Sequence, residues 1–287
     1  MTKNLRRAAL AFSLLAAAPA FAQESDPAAA PASAPENRNI TIVGVGAAVL
    51  PDYEGSNDYR WAPAPVVLTK VAGFGFELVG NRASIDLIND RSDSGLDVQF
   101  GPTATLNLNR TSIKSIDDPR IKALGELDTA VEVGGFFGIS QSGVITSPYD
   151  RLSVRASYRH DVSKVSRAGV FTPSVTYMTP LSRKALVTTF VSANRVEHGY
   201  AQTYFGVTPE GSLASGLPVY NAQGGWKDWT VGLGGAMSLT GDLTHGLQLI
   251  GGGTYRQLIH GFGDSPIVRT AGSRNQWMGM VGLAYSF

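Results

Sequence analysis

Charged side chains fall at alternating positions in several segments of this sequence, and ion pairing is the chemistry they suggest. Because successive side chains of a strand point to opposite faces, such charges share one side of their segments. The acidic members are Glu77, Asp86, Asp97 and Glu132, and the basic members are Arg155, Arg159 and Arg256. Opposite charges in a low-dielectric interior must pair or meet water. Two interpretations follow: structural ion pairs inside a narrow protein, or the lining of a selective pore.

Clusters rich in tyrosine, proline and acidic residues interrupt the alternating segments. They are residues 51–56 (PDYEGS), 204–209 (YFGVTP) with 215–220 (SGLPVY), and 264–268 (DSPIV). One interpretation is architectural, with rings and prolines folding the loops into a lid. The other is binding of an external ligand or surface, since exposed loops often carry function. The candidates for binding are Asp52, Tyr53, Glu54, Tyr204, Phe205, Ser215, Tyr220, Asp264 and Ser265.

A hydrolytic site is a further possibility. His160, His198 and His260 lie near acidic residues in the sequence, and Ser265 could complete a Ser–His–acid set. The sequence contains no Gly-x-Ser-x-Gly turn and no His-Glu-x-x-His metal-ligand spacing. We therefore predict no catalytic residues, no metal site and no cofactor, and a hydrolase at the outer rim is the less favoured alternative.

The elements that must position these residues are β-strands. Apolar and polar residues alternate with period two in segments of about ten residues, which is the pattern of transmembrane β-barrels. The last segment places Val281, Leu283, Tyr285 and Phe287 on one face and stops on the aromatic residue. We expect twelve strands near residues 39–49, 60–70, 73–80, 82–88, 96–107, 127–140, 151–161, 168–180, 184–194, 226–239, 246–258 and 275–287. Ten strands are the alternative, because the hairpin at 74–88 could be misassigned.

The lengths of the connections predict the orientation of this barrel. Long connections fall at residues 50–59, 108–126, 195–225 and 259–274, and short ones at 71–72, 181–183 and 240–245, with 141–150 longer than expected. In bacterial barrels the long loops face outward and the short turns face the periplasm. The predicted fold is thus an all-β antiparallel transmembrane barrel with both termini periplasmic. Twelve strands enclose far less space than the roughly 16 to 18 strands of open porins, which favours structural ion pairs over a pore.

The N-terminal segment and the composition indicate export. Lys3, Arg6 and Arg7 precede an apolar run and the small-residue site Ala20-Phe21-Ala22, so residues 1–22 are predicted to be a cleaved signal peptide. Residues 23–38, rich in proline and alanine, are predicted to be a flexible periplasmic leader, and 39–287 the barrel. Without cysteine, disulfides and lipid attachment at cysteine are excluded. The exported chain would carry 21 basic and 23 acidic residues, which is no electrostatic footprint for nucleic acid.

The three loop clusters, in this order, and the final Leu-Ala-Tyr-Ser-Phe together resemble the MltA-interacting protein / OmpV family of outer-membrane proteins. The resemblance runs from about Ile42 to Phe287. It implies an outer-membrane barrel whose founding family member is regarded as a scaffold. That member links a lytic transglycosylase to a bifunctional penicillin-binding protein, and other members look like adhesins or are associated with antibiotic and cationic-peptide response.

The expected function is a non-catalytic scaffold or binding protein in peptidoglycan maintenance. We expect a monomer in outer-membrane lipid of a Gram-negative bacterium, with a lytic transglycosylase and a bifunctional penicillin-binding protein as partners implied by the resemblance. The alternatives are a substrate-selective channel and a surface adhesin. The predicted orientation places the loop clusters outside the cell, whereas murein enzymes work in the periplasm. A periplasmic scaffold would have to use the short turns, residues 141–150 and the leader.

Overall fold

The computed structural model describes residues 40–71, 73–89 and 95–287. The signal peptide predicted at residues 1–22 and the leader predicted at 23–38 lie outside the described residues, so both stay predictions. Ile40 is buried immediately before the first strand.

Twelve antiparallel strands of the described chain form a closed barrel, in which each strand pairs with its neighbours in sequence and the last pairs with the first. They are β1 Thr41–Pro51, β2 Tyr59–Val71, β3 Phe74–Val79, β4 Arg82–Asp86, β5 Leu96–Asn107, β6 Ala130–Ser142, β7 Arg151–Asp161, β8 Gly169–Ser182, β9 Ala185–Val196, β10 Gly225–Ser238, β11 Gly246–Leu258 and β12 Asn275–Ser286. The predicted all-β barrel is confirmed, and the ten-strand alternative is wrong because Phe74–Val79 and Arg82–Asp86 are separate, paired strands.

Several strand limits differ from the prediction by a few residues, and two of them have a local reason. Strand β6 begins at Ala130 rather than residue 127, because the N–H of Leu127 donates to the carbonyl of Arg110 within the loop at 2.9 Å. Strand β4 ends at Asp86 rather than residue 88. Beyond it the N–H of Leu87 still donates to the carbonyl of Phe100 at 2.9 Å, but the Asp86 carboxylate accepts the N–H groups of Ile88 and Phe100, each at 3.1 Å, which interrupts the regular ladder.

Strand β2 has one edge that its neighbour covers only in part. The ladder with β3 begins at Val66, so among the described residues 59–65 have no ladder partner on that side. Pro63 and Pro65 lie in this stretch. Because proline has no amide N–H, these positions offer no donor to another strand, which protects the edge from unwanted pairing.

The outer surface of the barrel is apolar. Side chains on the outward positions of β1 and β12 are exposed by 39–65%, and they are Val43, Val45, Val281, Leu283 and Tyr285. Trp61 (71% exposed) and Trp277 (62%) lie close to the strand ends that carry the long loops, where aromatic girdles meet the membrane interface. A closed barrel satisfies its backbone internally, so this belt faces lipid. No helix among the described residues is long and apolar enough to cross a membrane.

Small residues let the barrel close between its first and last strands. Gly46 lies opposite Gly282, and Gly44 lies opposite Ala284. A Cβ atom added at Gly282 would lie 2.7 Å from the Cα of Gly46 and 2.7 Å from the carbonyl oxygen of Val45. These neighbours are backbone atoms, so they cannot move aside without opening the seam.

We therefore expect Gly282→Ala to weaken closure by about 1–3 kcal/mol, the usual range for overpacking. The control is Gly279→Ala in the same strand, where the added Cβ would have an ordinary contact of 3.7 Å with the carbonyl oxygen of Gly252. Urea unfolding in micelles, with heat-modifiable gel mobility as a second reading, measures both variants. Equal stability of the two variants would contradict this account of the seam.

Candidate functional site

The long loops at one end of the barrel fold into a helical layer, which we call the lid (residues 108–129, 197–224 and 259–274). Its short helices in the described chain are α1 Pro119–Ala123, α2 His198–Phe205, α3 Pro209–Ser215, α4 His260–Asp264 and α5 Pro266–Arg269. Three of them begin with a capping residue followed by proline: Asp118-Pro119, Thr208-Pro209 and Ser265-Pro266. Each capping side chain accepts a backbone N–H of the first turn, and proline at the first helical position loses no hydrogen bond.

Aromatic side chains pack the lid together and against the strand ends. Phe205 contacts Phe262 edge to face at 5.2 Å, and Tyr200 contacts Tyr204 at 4.5 Å between ring centroids. The same cluster includes the strand residues Val170, Val196 and Leu258, so the lid is anchored on the barrel rim. A second buried cluster joins Tyr53 to the lid residues Ile116, Ile121, Val207, Leu217, Ile267 and Ala271.

The short loop at residues 52–58, which we call the first loop, contacts all three parts of the lid. Its Tyr53 hydroxyl donates to the carbonyl of Ala271 at 2.5 Å, and its Asp52 carboxylate accepts the N–H of Asp117 at 3.3 Å. Burial raises the pKa of Asp52 and raises that of Tyr53 well above its usual range. Gly55 has φ +100° and lies against Val268, so this tight turn requires glycine.

The buried carboxylate of Glu54 links the first loop to the barrel wall. It forms an ion pair with Lys227 of β10 and lies 3.5 Å from the guanidinium of Arg256 in β11. The hydroxyl of Tyr200 in α2 donates to it at 3.0 Å. Lys227 also lies 3.5 Å from Asp228. The four charged side chains are 0–4% exposed, so the cluster is both neutral in sum and shielded from water.

Further ion pairs lie on the inner wall below the lid. Near the lid, Arg159 of β7 pairs with Glu132 of the adjacent strand β6 at 3.2 Å. Nearer the opposite end, Arg151 of β7 pairs with Asp97 of β5, two strands away. Between these levels, Arg155 of β7 lies 3.3 Å from Glu77 of β3, four strands away, and 3.6 Å above the ring of Phe136. Paired side chains thus project into the lumen at several heights.

The ion pairs of the interior include charges that the sequence predicted and charges that it did not. Glu77, Asp97, Glu132, Arg155, Arg159 and Arg256 all join ion pairs in the interior, whereas Asp86 accepts backbone N–H groups. The partners Arg151, Lys227 and Glu54 were missed as lumen charges. A signal for Arg151 existed, because it shares the inward positions of Arg155 and Arg159 in its strand. Lys227 has the parity of the outward Trp229, and a β-bulge between Trp226 and Asp228 turns it inward, so alternation could not predict it.

Most of the predicted binding residues are buried in the lid or the first loop. Asp52, Tyr53, Glu54, Tyr204, Phe205, Ser215 and Ser265 are at most 9% exposed, and Tyr220 is partly buried. Only Asp264 of the nine is exposed, and it pairs with Arg274. Their arrangement fits the architectural interpretation, and binding of an external ligand by these residues stays a prediction.

The residues considered for hydrolysis are not joined in a catalytic arrangement. The Ser265 hydroxyl donates to the carbonyl of Phe205 at 2.6 Å and accepts the N–H of Ile267. His160, His198 and His260 are exposed. Ser265 is therefore used as a helix cap in the described structure. Within the described ranges no group of three or more His, Asp or Glu side chains could hold a metal ion.

The turn between β6 and β7 lies at the opposite end of the barrel and is ordered by one carboxylate. Asp150 accepts the N–H groups of Val144 at 2.6 Å, Ile145 at 2.9 Å and Ser147 at 3.2 Å, and the hydroxyl of Tyr177 at 2.9 Å. Burial would raise the pKa of Asp150, but these hydrogen bonds hold it well below its usual range. The unexpected length of this connection is thus a rigid turn.

Loss of the Glu54 charge should destabilise the whole lid. Glu54→Gln would leave Lys227 and Arg256 buried without their shared counter-ion, and breaking a buried pair in this way costs about 3–5 kcal/mol. Asp264→Asn is the control, because the Asp264–Arg274 pair is exposed and such pairs contribute about 0–1 kcal/mol. Denaturant unfolding in micelles compares the two. An equally small loss in both variants would show that the Glu54 cluster does not hold the lid.

Comparison with known proteins identifies a family that matches this chain. The model of the MipA family, described as MltA-interacting protein MipA, matches residues 43–287. No curated protein matches the chain.

Solved structures with some likeness are outer-membrane proteins. An anion-selective porin from Comamonas acidovorans is 9% identical, with 87% of this chain and 99% of that chain covered and a TM-score of 0.38. OmpT, an outer-membrane protein of Vibrio cholerae, is 8% identical, with 87% and 97% covered and a TM-score of 0.39. The structural similarity to these proteins is weak, whereas the family match spans the barrel. This chain, an outer-membrane β-barrel, belongs to the MltA-interacting protein MipA family.

Proposed function

We propose that this barrel is a non-catalytic scaffold in peptidoglycan maintenance that holds a lytic transglycosylase at the outer membrane. The family description, MltA-interacting protein, supports a binding role. The observation that carries the proposal is the closed interior. The lid is fixed to the wall through Glu54, and paired charges occupy the lumen beneath it. A barrel filled in this way offers its outer ends to partners rather than a passage to solutes.

The filled lumen weighs against the channel alternative. Solute passage would have to go past the Arg155–Glu77 pair, which joins strands four apart, and past the Glu54 cluster beneath the lid. The members of the Glu54 cluster are buried, and separating buried partners leaves unpaired charges in a low-dielectric interior. The hydrolase alternative has less support still, since the Ser265 hydroxyl serves the lid backbone.

The surface proposed for the partner is the β6–β7 turn. The start of β1 and the end of β12 lie at the same end of the barrel as this turn, and we propose that this end faces the periplasm, where murein enzymes act. Val144, Ile145 and Tyr149 are 42%, 65% and 77% exposed on a backbone that Asp150 fixes. An exposed aromatic on a rigid support is the kind of residue that contributes most to protein interfaces. The barrel would act as a monomer.

Adhesion at the cell surface is the second candidate, and one residue favours it. Leu213 of α3 is 90% exposed on the lid, at the end opposite the β6–β7 turn. Val219, also in the lid, is 56% exposed. Apolar side chains so exposed, in a lid whose other apolar residues are mostly buried, suit contact with another surface. Leu213 therefore provides a matched apolar position with which to decide which end binds.

We expect the double variant Ile145→Ser and Tyr149→Ser to weaken binding of a purified lytic transglycosylase by at least about tenfold, or about 1.4 kcal/mol. Leu213→Ser should bind as the unchanged protein does, because it lies at the other end. Affinity is measured with the full barrel in micelles, and an unrelated outer-membrane barrel sets the background.

Two results would overturn parts of this proposal. If the unchanged protein captures the transglycosylase no better than the unrelated barrel, the scaffold role is wrong. If Leu213→Ser abolishes binding while the double variant retains it, the lid rather than the β6–β7 turn carries the partner.

A further inference from the structure

Arg110, in the lid after β5, is a buried cation. Its side chain is 6% exposed, and within the described chain its Nε and Nη1 atoms are buried with no hydrogen-bond acceptor. No acidic side chain in the described ranges forms an ion pair with it. A guanidinium cannot shed its charge by deprotonation at neutral pH, so burial leaves a full positive charge to be compensated.

The backbone at Arg110 is also unusual. Its φ is +58°, a left-handed conformation that is uncommon for residues other than glycine. The conformation is held from both sides: the Arg110 carbonyl accepts the N–H of Leu127 at 2.9 Å, and Asn109 accepts the N–H of Glu54 at 3.0 Å. Backbone strain of this kind persists where surrounding structure enforces it, and it occurs often at ligand sites.

The charges near this position do not neutralise Arg110. In the neighbouring cluster, the carboxylates of Glu54 and Asp228 already balance Lys227 and Arg256. The side chains in electrostatic range of Arg110 are the phenols of Tyr204 and Tyr53, which are neutral at physiological pH. Burial lowers the pKa of Arg110 to about 10, which still leaves the group charged. One positive charge therefore stands uncompensated beneath the lid.

We propose that Arg110 is the anchor of an anion-binding site inside the lid, and that its ligand is a small oxyanion, a carboxylate or phosphate group. Oxygen anions match the donor geometry of a guanidinium and form short, charge-assisted hydrogen bonds with it. Tyr53 and Tyr204, the phenols in electrostatic range of Arg110, would lie near the bound group. The site lies at the opposite end of the barrel from the β6–β7 turn, and it does not depend on the proposed partner.

Thermal unfolding in the presence of simple anions tests this site. Folded protein in micelles is titrated with sodium phosphate and, separately, sodium acetate, with sodium chloride holding the ionic strength constant. We expect at least one oxyanion to raise the Tm in a saturable way, since a ligand that binds only the folded state stabilises it. A rise in Tm with phosphate alone would indicate a phosphate ligand, and a rise with acetate alone would indicate a carboxylate ligand.

Variants at matched positions separate binding from a general salt effect. Arg110→Met should weaken the oxyanion response at least tenfold, and without added oxyanion its Tm should be no lower than that of the unchanged protein, because the buried charge is gone. Arg167→Met is the control: Arg167 is exposed in the β7–β8 connection and also has a positive φ, of 52°. It should keep the full response.

The proposed anion site would be wrong if neither anion gave a saturable rise in Tm. It would also be wrong if Arg110→Met responded as strongly as the unchanged protein. If Arg110→Met fails to fold, Arg110→Lys is tested in its place. This variant keeps the positive charge but lacks the planar guanidinium group that binds an oxyanion through two hydrogen bonds. A response at least tenfold weaker in folded Arg110→Lys would then support the site, and an unchanged response would contradict it.

Discussion

The buried carboxylate of Glu54 is the constraint on which the end of this barrel depends. It comes from a short loop, yet it compensates Lys227 and Arg256 on two strands and accepts a hydrogen bond from Tyr200 in the lid. Each of these groups would be costly to bury alone, because a charge removed from water needs a counter-charge nearby. The loop, the lid and the wall therefore have to come together for any one of them to be stable.

The same requirement operates throughout the lumen. A closed barrel in lipid turns its apolar side chains outward, so polar and charged side chains are left for the inside. Those charges pair between adjacent strands, as in Arg159–Glu132, and between strands further apart, as in Arg155–Glu77. Apolar clusters around Val66 with Ile250 and around Leu50 with Ala62 are buried beside them. The interior is consequently held by electrostatic pairs together with apolar contacts.

The sequence predicts the strands well because their signal is local. Alternation between successive residues identifies most of the twelve strands of the described barrel, and the strands near residues 39, 60 and 184, which alternate poorly, follow from their position between the others. Most strand limits fall within a few residues of the prediction. The pairing of charges is different, because Glu54 and Lys227 are 173 positions apart and only closure of the barrel brings them together. The lid helices were missed although Asp118-Pro119, Thr208-Pro209 and Ser265-Pro266 are helix-start signals. Packing of the tyrosine-rich loop residues into a lid was one of two interpretations of their composition, and composition alone could not decide between a lid and a binding surface.

We infer that the ion pairs inside this barrel, together with the lid, leave no continuous water path from one end to the other. Conductance of the purified full-length protein in a planar lipid bilayer measures whether such a path exists. We expect that insertion, verified by recovery of the folded barrel from the membrane, produces no stepwise increase in current. Reproducible conductance steps of uniform size would contradict it, because they would require a continuous water path past Glu132, Arg159 and the Glu54 cluster.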